Sequence, residues 1–247
     1  MHQRKITRAA VALTALSLSL AVSAVCSAAS KTPNFNGVWQ IVDPVTQLKA
    51  ADGKAPPLTS EAKKTYDRRV ALFKAGKANE YDPTLQGCKP LGAPRNIYDG
   101  SQPADIQPFE IQQNDTRLMF GYTFNRTMRF VDIKKDFGDI PGPTYYGTSI
   151  GKWEGETLVV TGKMFNDITL LDAAGMPHSD ELETVERFTL KDGGNTLEDR
   201  ITFKDKNTFS KNWDAVVKFK KLPAGTKIQE DLCLQRLNIT LKSPVAE

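Results

Sequence analysis

The best-placed acid–base group of the chain is one histidine. His178 lies between Pro177 and Ser179 in a polar stretch, with Asp172 and Asp180 close to it in sequence. An imidazole exchanges protons near neutral pH, and a neighbouring carboxylate can orient it for general acid–base catalysis. We therefore predict His178 and Asp172 as catalytic residues. The alternative is a loop histidine that satisfies a local backbone group.

Two acidic residues interrupt otherwise apolar strand faces. Glu186 and Asp199 each fall on the apolar side of a segment that alternates with a period of two. An acid in that position is either paired with a cation or carries a raised pKa. Arg129 and Arg187 are the available partners for a purely structural ion pair. We predict Glu186 as the third catalytic residue.

The composition argues against metal and phosphate chemistry. The chain has two histidines, and His2 belongs to the N-terminal stretch predicted below as a signal peptide. The one histidine left in the mature chain cannot supply the two or three that a catalytic zinc site uses, and the chain has neither a Gly-rich phosphate loop nor a Cys-x-x-Cys pair. We predict that the protein uses no cofactor and no metal ion. Ser149 and Ser179 leave serine chemistry open.

The apolar pattern predicts a mostly β chain with one α-helix. Thr59 or Ser60 can cap a helix whose apolar residues recur at helical spacing, which gives an insertion at about 58–76. The Pro-rich stretch at about 78–104 is predicted as a loop that covers one end of the domain. Ten segments are predicted as strands, the last of them closing the set: 35–42, 109–113, 118–124, 127–131, 146–153, 157–161, 183–190, 196–203, 209–219 and 228–234. Their sequential hairpins favour an antiparallel meander that closes into a barrel.

The first residues resemble an export signal. Three basic residues precede an apolar run from Ala9 to about Val22, and small residues lead up to Ala29. This order is typical of a signal peptide, so we predict a signal peptide at 1–29, a single β-barrel domain at 30–247, and a periplasmic or secreted protein. The alternative is a lipoprotein anchored through Cys26. No integral membrane segment is expected in the mature chain.

Charge and cysteine content fit this interpretation. The whole chain has 33 basic and 29 acidic residues, and three of the basic ones belong to the predicted signal peptide. The mature chain is therefore nearly neutral, which gives no support to nucleic-acid binding. Cys88 and Cys233 form an even pair in an oxidising compartment, which favours a disulfide between them. Two separate buried thiols are the alternative.

Two motifs resemble known families. Phe35–Trp39, with sequence FNGVW, resembles the Gly-x-Trp opening of lipocalin-type barrels. Thr148–Val160, with sequence TSIGKWEGETLVV, resembles a signature of a largely uncharacterised family of exported bacterial proteins. The resemblance continues at Phe165–Asp167, Gly175–Ser179 and Val185–Phe188. It implies export and a lipocalin-like β-barrel, and it implies no particular reaction.

A barrel of this kind favours binding of a small molecule, because barrel mouths are common ligand pockets. We predict a binder of a small, partly apolar ligand, with Tyr122, Phe120, Arg129, Tyr145 and Asn166 as ligand-binding residues. The alternative is a cofactor-independent lyase, isomerase or hydrolase that uses His178 in the same pocket. A third hypothesis is an interaction module of the cell envelope that has no small-molecule site.

Overall fold

Strands dominate the computed structural model, which describes residues 32–102, 104, 107–140 and 142–231. In this part of the chain the strands are β1 Gly37–Ile41, β2 Phe109–Gln113, β3 Arg117–Tyr122, β4 Met128–Ile133, β5 Thr148–Glu154, β6 Thr157–Lys163, β7 Glu183–Lys191, β8 Thr196–Lys204 and β9 Trp213–Lys221. Each strand pairs with the next, and β1 pairs with β9, so the sheet closes into a barrel. The predicted mostly β barrel is confirmed, and it fits the expected lipocalin-like fold.

One pair of neighbours departs from the predicted antiparallel meander. β4 and β5 are parallel, with Val131 opposite Ser149. A parallel pair needs a crossover connection of a dozen or more residues, because the chain must return to the starting end before it enters the second strand. Residues 134–147 supply this connection. The remaining neighbours pair antiparallel.

The predicted closing strand at 228–234 is wrong over its described part. Residues 228–231 have no strand structure, and residues 232–234 lie outside the described part. β1 and β9 close the barrel instead, through Trp39 opposite Lys221 and Ile41 opposite Phe219.

The predicted helix is confirmed as α1, Ser60–Lys74. The Thr59 side chain accepts a hydrogen bond from the Ala62 backbone N–H, which satisfies one of the free donors at the helix start. Glu61 and Lys74 lie at the ends where the helix dipole favours their charges.

The segment predicted as a Pro-rich loop is more ordered than expected. It contains a short helix α2, Pro83–Gly87, and the single helical turns Ala78–Glu80 and Arg95–Ile97. The Asp82 carboxylate caps α2 by accepting from the Thr84 backbone N–H. Arg95 is buried between Asp82 and Asp99 and donates hydrogen bonds to both. These polar contacts hold the segment in place.

The long connections meet at one end of the barrel. The directions of the strands place residues 42–108, 164–182 and 205–212 at this end, together with the β3–β4 turn. We call residues 164–182 the covering segment. Tyrosines of the 42–108 connection donate hydrogen bonds to its carbonyl oxygens: Tyr98 to Leu171 and Tyr81 to Ala173, both at 2.7 Å. This end of the barrel is therefore closed by packed chain.

Aromatic side chains line the barrel interior and pack at its opposite end. Phe109 packs edge-on against Phe219, with 5.1 Å between ring centroids, and Phe120 packs against Phe188 at 5.5 Å. Burial of such side chains provides most of the stabilisation of a domain of this size. At the end with the short turns, Phe35 lies against Trp153.

The chain falls into two units, Met1–Ser30 and Lys31–Glu247. The predicted signal peptide and Cys26 lie outside the described residues. Cys233 also lies outside the described residues, so the predicted disulfide between Cys88 and Cys233 stays a prediction. Within the described ranges, no helix is long and apolar enough to cross a membrane.

Candidate functional site

A charged pair lies inside the barrel. Arg129 on β4 donates to both carboxylate oxygens of Glu186 on β7, at 3.0 and 2.5 Å, and its Nε donates to Ser149 Oγ at 2.9 Å. Arg129 is 3% exposed and Glu186 is fully buried. A two-point contact of this kind fixes the position of the carboxylate as well as its charge.

A glycine makes room for the arginine. Arg129 extends from β4 past β5 and β6 to reach Glu186 on β7, and Gly162 lies on β6 between them. A Cβ atom at Gly162 would lie 3.3 Å from Arg129 Nη2, 2.8 Å from Thr184 Oγ1 and 2.7 Å from Phe165 Cζ. A larger residue here would force Phe165 and Thr184 to shift and would crowd the guanidinium, so glycine leaves room for all three side chains.

Arg129 stays ionised in spite of its burial. Burial lowers the pKa of Arg129, but Glu186 more than offsets this effect, so the pKa of Arg129 is raised above its ordinary value. A buried charge is tolerated when it is paired and hydrogen-bonded. The structural interpretation of Glu186 as half of an ion pair with an inward arginine is therefore confirmed for Arg129. Arg187 points the other way and pairs with Glu154 at 2.8 Å.

Two stacked tyrosines add further polar groups to the interior, on the side of the covered end. Tyr122 and Tyr146 are stacked, with 5.7 Å between ring centroids and 14° between ring planes. The Tyr146 hydroxyl is 2.6 Å from Thr127 Oγ1, and it accepts a hydrogen bond from Asn96 Nδ2. Burial raises the pKa of Tyr122 well above its ordinary value and that of Tyr146 to about 12. Both phenols are therefore neutral hydrogen-bonding groups.

Asp199 is the second inward acid, and its surroundings differ from those of Glu186. It is fully buried, and neither carboxyl oxygen has a hydrogen-bond partner in the described part of the chain. Burial and the neighbouring Glu186 charge raise the pKa of Asp199 well above its ordinary value. The backbone N–H of Arg187 interacts weakly with the ionised form but does not reach hydrogen-bonding geometry. These surroundings therefore favour the neutral form of the Asp199 carboxyl group.

Two more inward polar atoms are buried without a hydrogen-bond partner among the described residues. These are Thr184 Oγ1 and Trp213 Nε1. Thr184 on β7 and Trp213 on β9 face the same residue of β8, Phe203, from opposite sides. Trp213 also borders a surface cleft of about 470 Å³. Native proteins pair nearly all of their buried polar atoms, so these unpaired atoms are unusual.

His178 is buried, although its sequence context predicts a polar loop. Its Nδ1 lies 2.9 Å from the Ser179 carbonyl oxygen, so this nitrogen carries the proton, and Nε2 accepts from the Thr169 hydroxyl at 2.7 Å. Burial lowers the pKa of His178, which keeps the ring neutral. Neither Asp172 nor Asp180 bonds to it, because both ring nitrogens already have other partners.

Asp172 organises the covered end of the barrel. Its Oδ2 accepts from the Tyr66 hydroxyl at 2.7 Å and from the Leu48 backbone N–H at 3.0 Å, and its Oδ1 accepts from the Met176 backbone N–H at 2.9 Å. These contacts tie the covering segment to α1 and to the chain after β1. The structure thus separates the predicted catalytic residues, with Glu186 inside the barrel and Asp172 and His178 in the covering segment.

The predicted ligand-binding residues also divide into two groups. Phe120, Tyr122 and Arg129 line the interior together with Glu186. Tyr145 is only half-buried, and its carbonyl oxygen accepts from the Ala93 backbone N–H. Asn166 forms a local turn, in which its Oδ1 accepts from the Ile168 backbone N–H.

Three interior residues, Asp199, Thr184 and Ser149, were not predicted as site residues, although strand alternation had already placed Asp199 on an apolar face. Thr184 and Ser149 follow the same inward alternation, which is the signal that could have identified them. Ser149 also stands in Gly147–Gly151, sequence GTSIG, which has the Gly-x-Ser-x-Gly spacing of a nucleophile elbow. That motif needs a sharp turn between a strand and a helix, whereas Ser149 lies within β5 and bonds to Arg129.

The described residues contain no cluster of three or more histidine, cysteine or acidic residues that could hold a metal ion. Comparison with known proteins assigns no family. No protein-family model matches the chain, and no curated protein matches it significantly. The fold and the site together define a closed β-barrel with a buried arginine–carboxylate cluster.

Proposed function

We propose that this protein binds a small, partly apolar ligand inside the barrel, beside Arg129, Glu186 and Asp199. The observation that carries the proposal is the Asp199 carboxyl group, which is fully buried and has no hydrogen-bond partner among the described residues. Leaving a buried polar group unpaired costs about 1–3 kcal/mol. A ligand that bonds to this group would recover that cost.

The composition of the interior supports the same proposal. Ligand sites are mostly apolar and contain a few convergent polar groups. Here the aromatic rings of Phe120 and Phe188 lie 5.5 Å apart, and the polar groups of Arg129, Tyr122 and Ser149 lie on neighbouring strands.

The alternative of catalysis by His178 has weaker support. Both ring nitrogens are hydrogen-bonded to residues of the covering segment, Thr169 and Ser179. A general base needs a free nitrogen within reach of the substrate proton.

We also propose that binding takes place outside the cytoplasm, in the periplasm or after secretion. The support is the basic, apolar and small-residue order of residues 1–29. Intact-mass measurement of the secreted chain is expected to show a start near Ser30. Full-length chain in the cytoplasm would contradict the proposal.

Native mass spectrometry of the protein from a periplasmic extract tests the binding proposal. We expect the mass of a small molecule in addition to that of the chain. Arg129→Lys, which keeps the charge but loses the two-point contact, is expected to lose this molecule, whereas Arg187→Lys on the outer face keeps it. Wild-type protein without any bound molecule, or equal retention by both variants, would argue against an interior site.

A further inference from the structure

The buried ionisable groups of the described chain are mostly acidic. The buried carboxylates are those of Asp82, Asp99, Asp172, Glu186, Asp199, Asp205 and Asp231, and the buried arginines are Arg95 and Arg129. Each carboxylate except Asp199 accepts a hydrogen bond from a described group. Asp199 is therefore the buried acid for which the described residues supply no hydrogen-bond donor.

The nearest cation is already engaged. Arg129 makes two hydrogen bonds to Glu186 and one to Ser149. The strand register places Glu186 opposite Ile201 and Asp199 opposite Phe188, so the two acids are diagonal neighbours on β7 and β8. With Asp199 ionised, Arg129, Glu186 and Asp199 together would carry one net negative charge.

We propose that Asp199 anchors the charged end of a small organic cation, a primary amine with an apolar body, and that this is the ligand class of the interior site. The proposal rests on the binding function proposed above. An ammonium group offers three N–H donors, which suit the two unpartnered oxygens of Asp199.

A cation suits this position better than an anion or a neutral molecule. The Glu186 charge and the low polarity of the interior favour positive charge beside Asp199, and the same two causes raise the pKa of its carboxyl group. The ring of Phe188, directly opposite Asp199, can add a cation–π contact. An anion would meet two acids with one arginine that is already paired.

Binding then exchanges one positive charge for another. The amine enters as the ammonium ion, Asp199 gives its proton to solvent, and the new ion pair is neutral. No covalent bond forms, and the net charge of the interior does not change. The charged groups that act on Asp199 are Glu186 on β7 and Arg129 on β4, while its opposite residue on β9 is the apolar Val217.

Three probe molecules of similar shape and different charge test the proposal: 2-phenylethylamine, 2-phenylethanol and 3-phenylpropionate. In isothermal titration calorimetry we expect the amine to bind at least tenfold more tightly than the other two. Asp199→Asn is expected to weaken amine binding at least tenfold. Glu198→Gln changes the adjacent, outward-facing residue of the same strand and is expected to leave amine binding unchanged.

A second measurement needs only wild-type protein, in case Asp199→Asn does not fold. The observed binding enthalpy should differ between phosphate buffer and Tris buffer. The expected difference is the one produced when about one proton is released to the buffer. No proton release, equal binding of the three probes, or no amine binding at millimolar concentration would overturn the proposal. A neutral or anionic molecule that co-purifies with the protein would overturn it and leave the proposed binding function intact. If nothing co-purifies and none of the probes binds, both fail.

Discussion

Glu186 and Asp199 are diagonal neighbours inside the barrel, yet their carboxyl groups have opposite surroundings. Arg129 holds Glu186 through two hydrogen bonds, whereas Asp199 meets no hydrogen-bond partner among the described residues. The same strand pair therefore carries one acid that is held by an arginine and one acid that has no hydrogen-bond partner among the described residues. This contrast is the basis of the first two predictions.

Arg129→Met is expected to destabilise the fold by about 3–5 kcal/mol, because it leaves the buried Glu186 carboxylate without compensation. Urea unfolding followed by circular dichroism measures the change. The matched control is Arg187→Met, which removes an arginine from the neighbouring, outward position of the Glu186 strand and is expected to change stability little, since that pair is exposed. Equal losses in the two variants would contradict the interior role of Arg129.

Asp199→Asn is expected to change how stability depends on pH. The folded-state pKa of Asp199 is raised above the ordinary value of about 3.9, so above this pH the folded state keeps a proton that the unfolded state has lost. The stability that Asp199 contributes is complete below about pH 4 and falls as pH rises, by at most about 1.4 kcal/mol per pH unit.

Urea unfolding of wild type and Asp199→Asn between pH 4 and 8 checks this sign. The stability of the variant relative to wild type should increase with pH, while Glu198→Gln should follow the wild-type curve. A constant difference between wild type and Asp199→Asn would show that Asp199 is ionised in the folded protein.

His178 is expected to be a neutral imidazole with its proton on Nδ1. Nitrogen-15 NMR of the histidine ring reports this tautomer directly, and in a chain that starts at Ser30 no other histidine interferes. Burial lowers the folded-state pKa of His178, so its contribution to stability is complete above about pH 6.5 and is lost as pH falls below that value. An imidazolium signal in the folded protein at pH 6, or a proton on Nε2, would refute this assignment.

Asp172→Asn is expected to loosen the covering segment. The amide would present N–H donors where the carboxylate accepts three hydrogen bonds, and one buried group left unpaired costs about 1–3 kcal/mol. Hydrogen exchange at the Leu48 and Met176 amides should accelerate. Asp180→Asn, at an exposed position of the same region, provides the control, and unchanged exchange in Asp172→Asn would mean that other contacts hold the segment.

Local pattern predicted most of the barrel wall. β2, Phe109–Gln113, has the predicted limits, and β7 and β8 extend one residue beyond theirs, because strand alternation is set by which side chains face the core. The parallel pairing of β4 and β5 has no such local cause. It depends on the path of residues 134–147 over the barrel surface, and apolar periodicity does not encode that path.

The site, like the barrel wall, was predictable where strand alternation decides the direction of a side chain. Strand alternation alone places Glu186 inward and its neighbour Arg187 outward. Arg187 therefore cannot face Glu186, which leaves Arg129 as the partner of the two candidate arginines. The burial of His178 was not predictable in this way, because it depends on packing between the covering segment and the chain around it. A polar local sequence is compatible with burial when each polar atom finds a partner, as both nitrogens of His178 do.

The pairing of β1 with β9 has a consequence for how the chain folds. Ile41 and Phe219 are separated in sequence by almost the whole domain, so their contact closes a very long loop. The entropic cost of closing this loop becomes small enough only after the intervening strands have formed. Until β9 arrives, β1 and β8 each present an unpaired edge that can pair with another chain. Chains truncated before Trp213 should therefore aggregate during refolding, and formation of the β1–β9 seam should be among the last steps of folding.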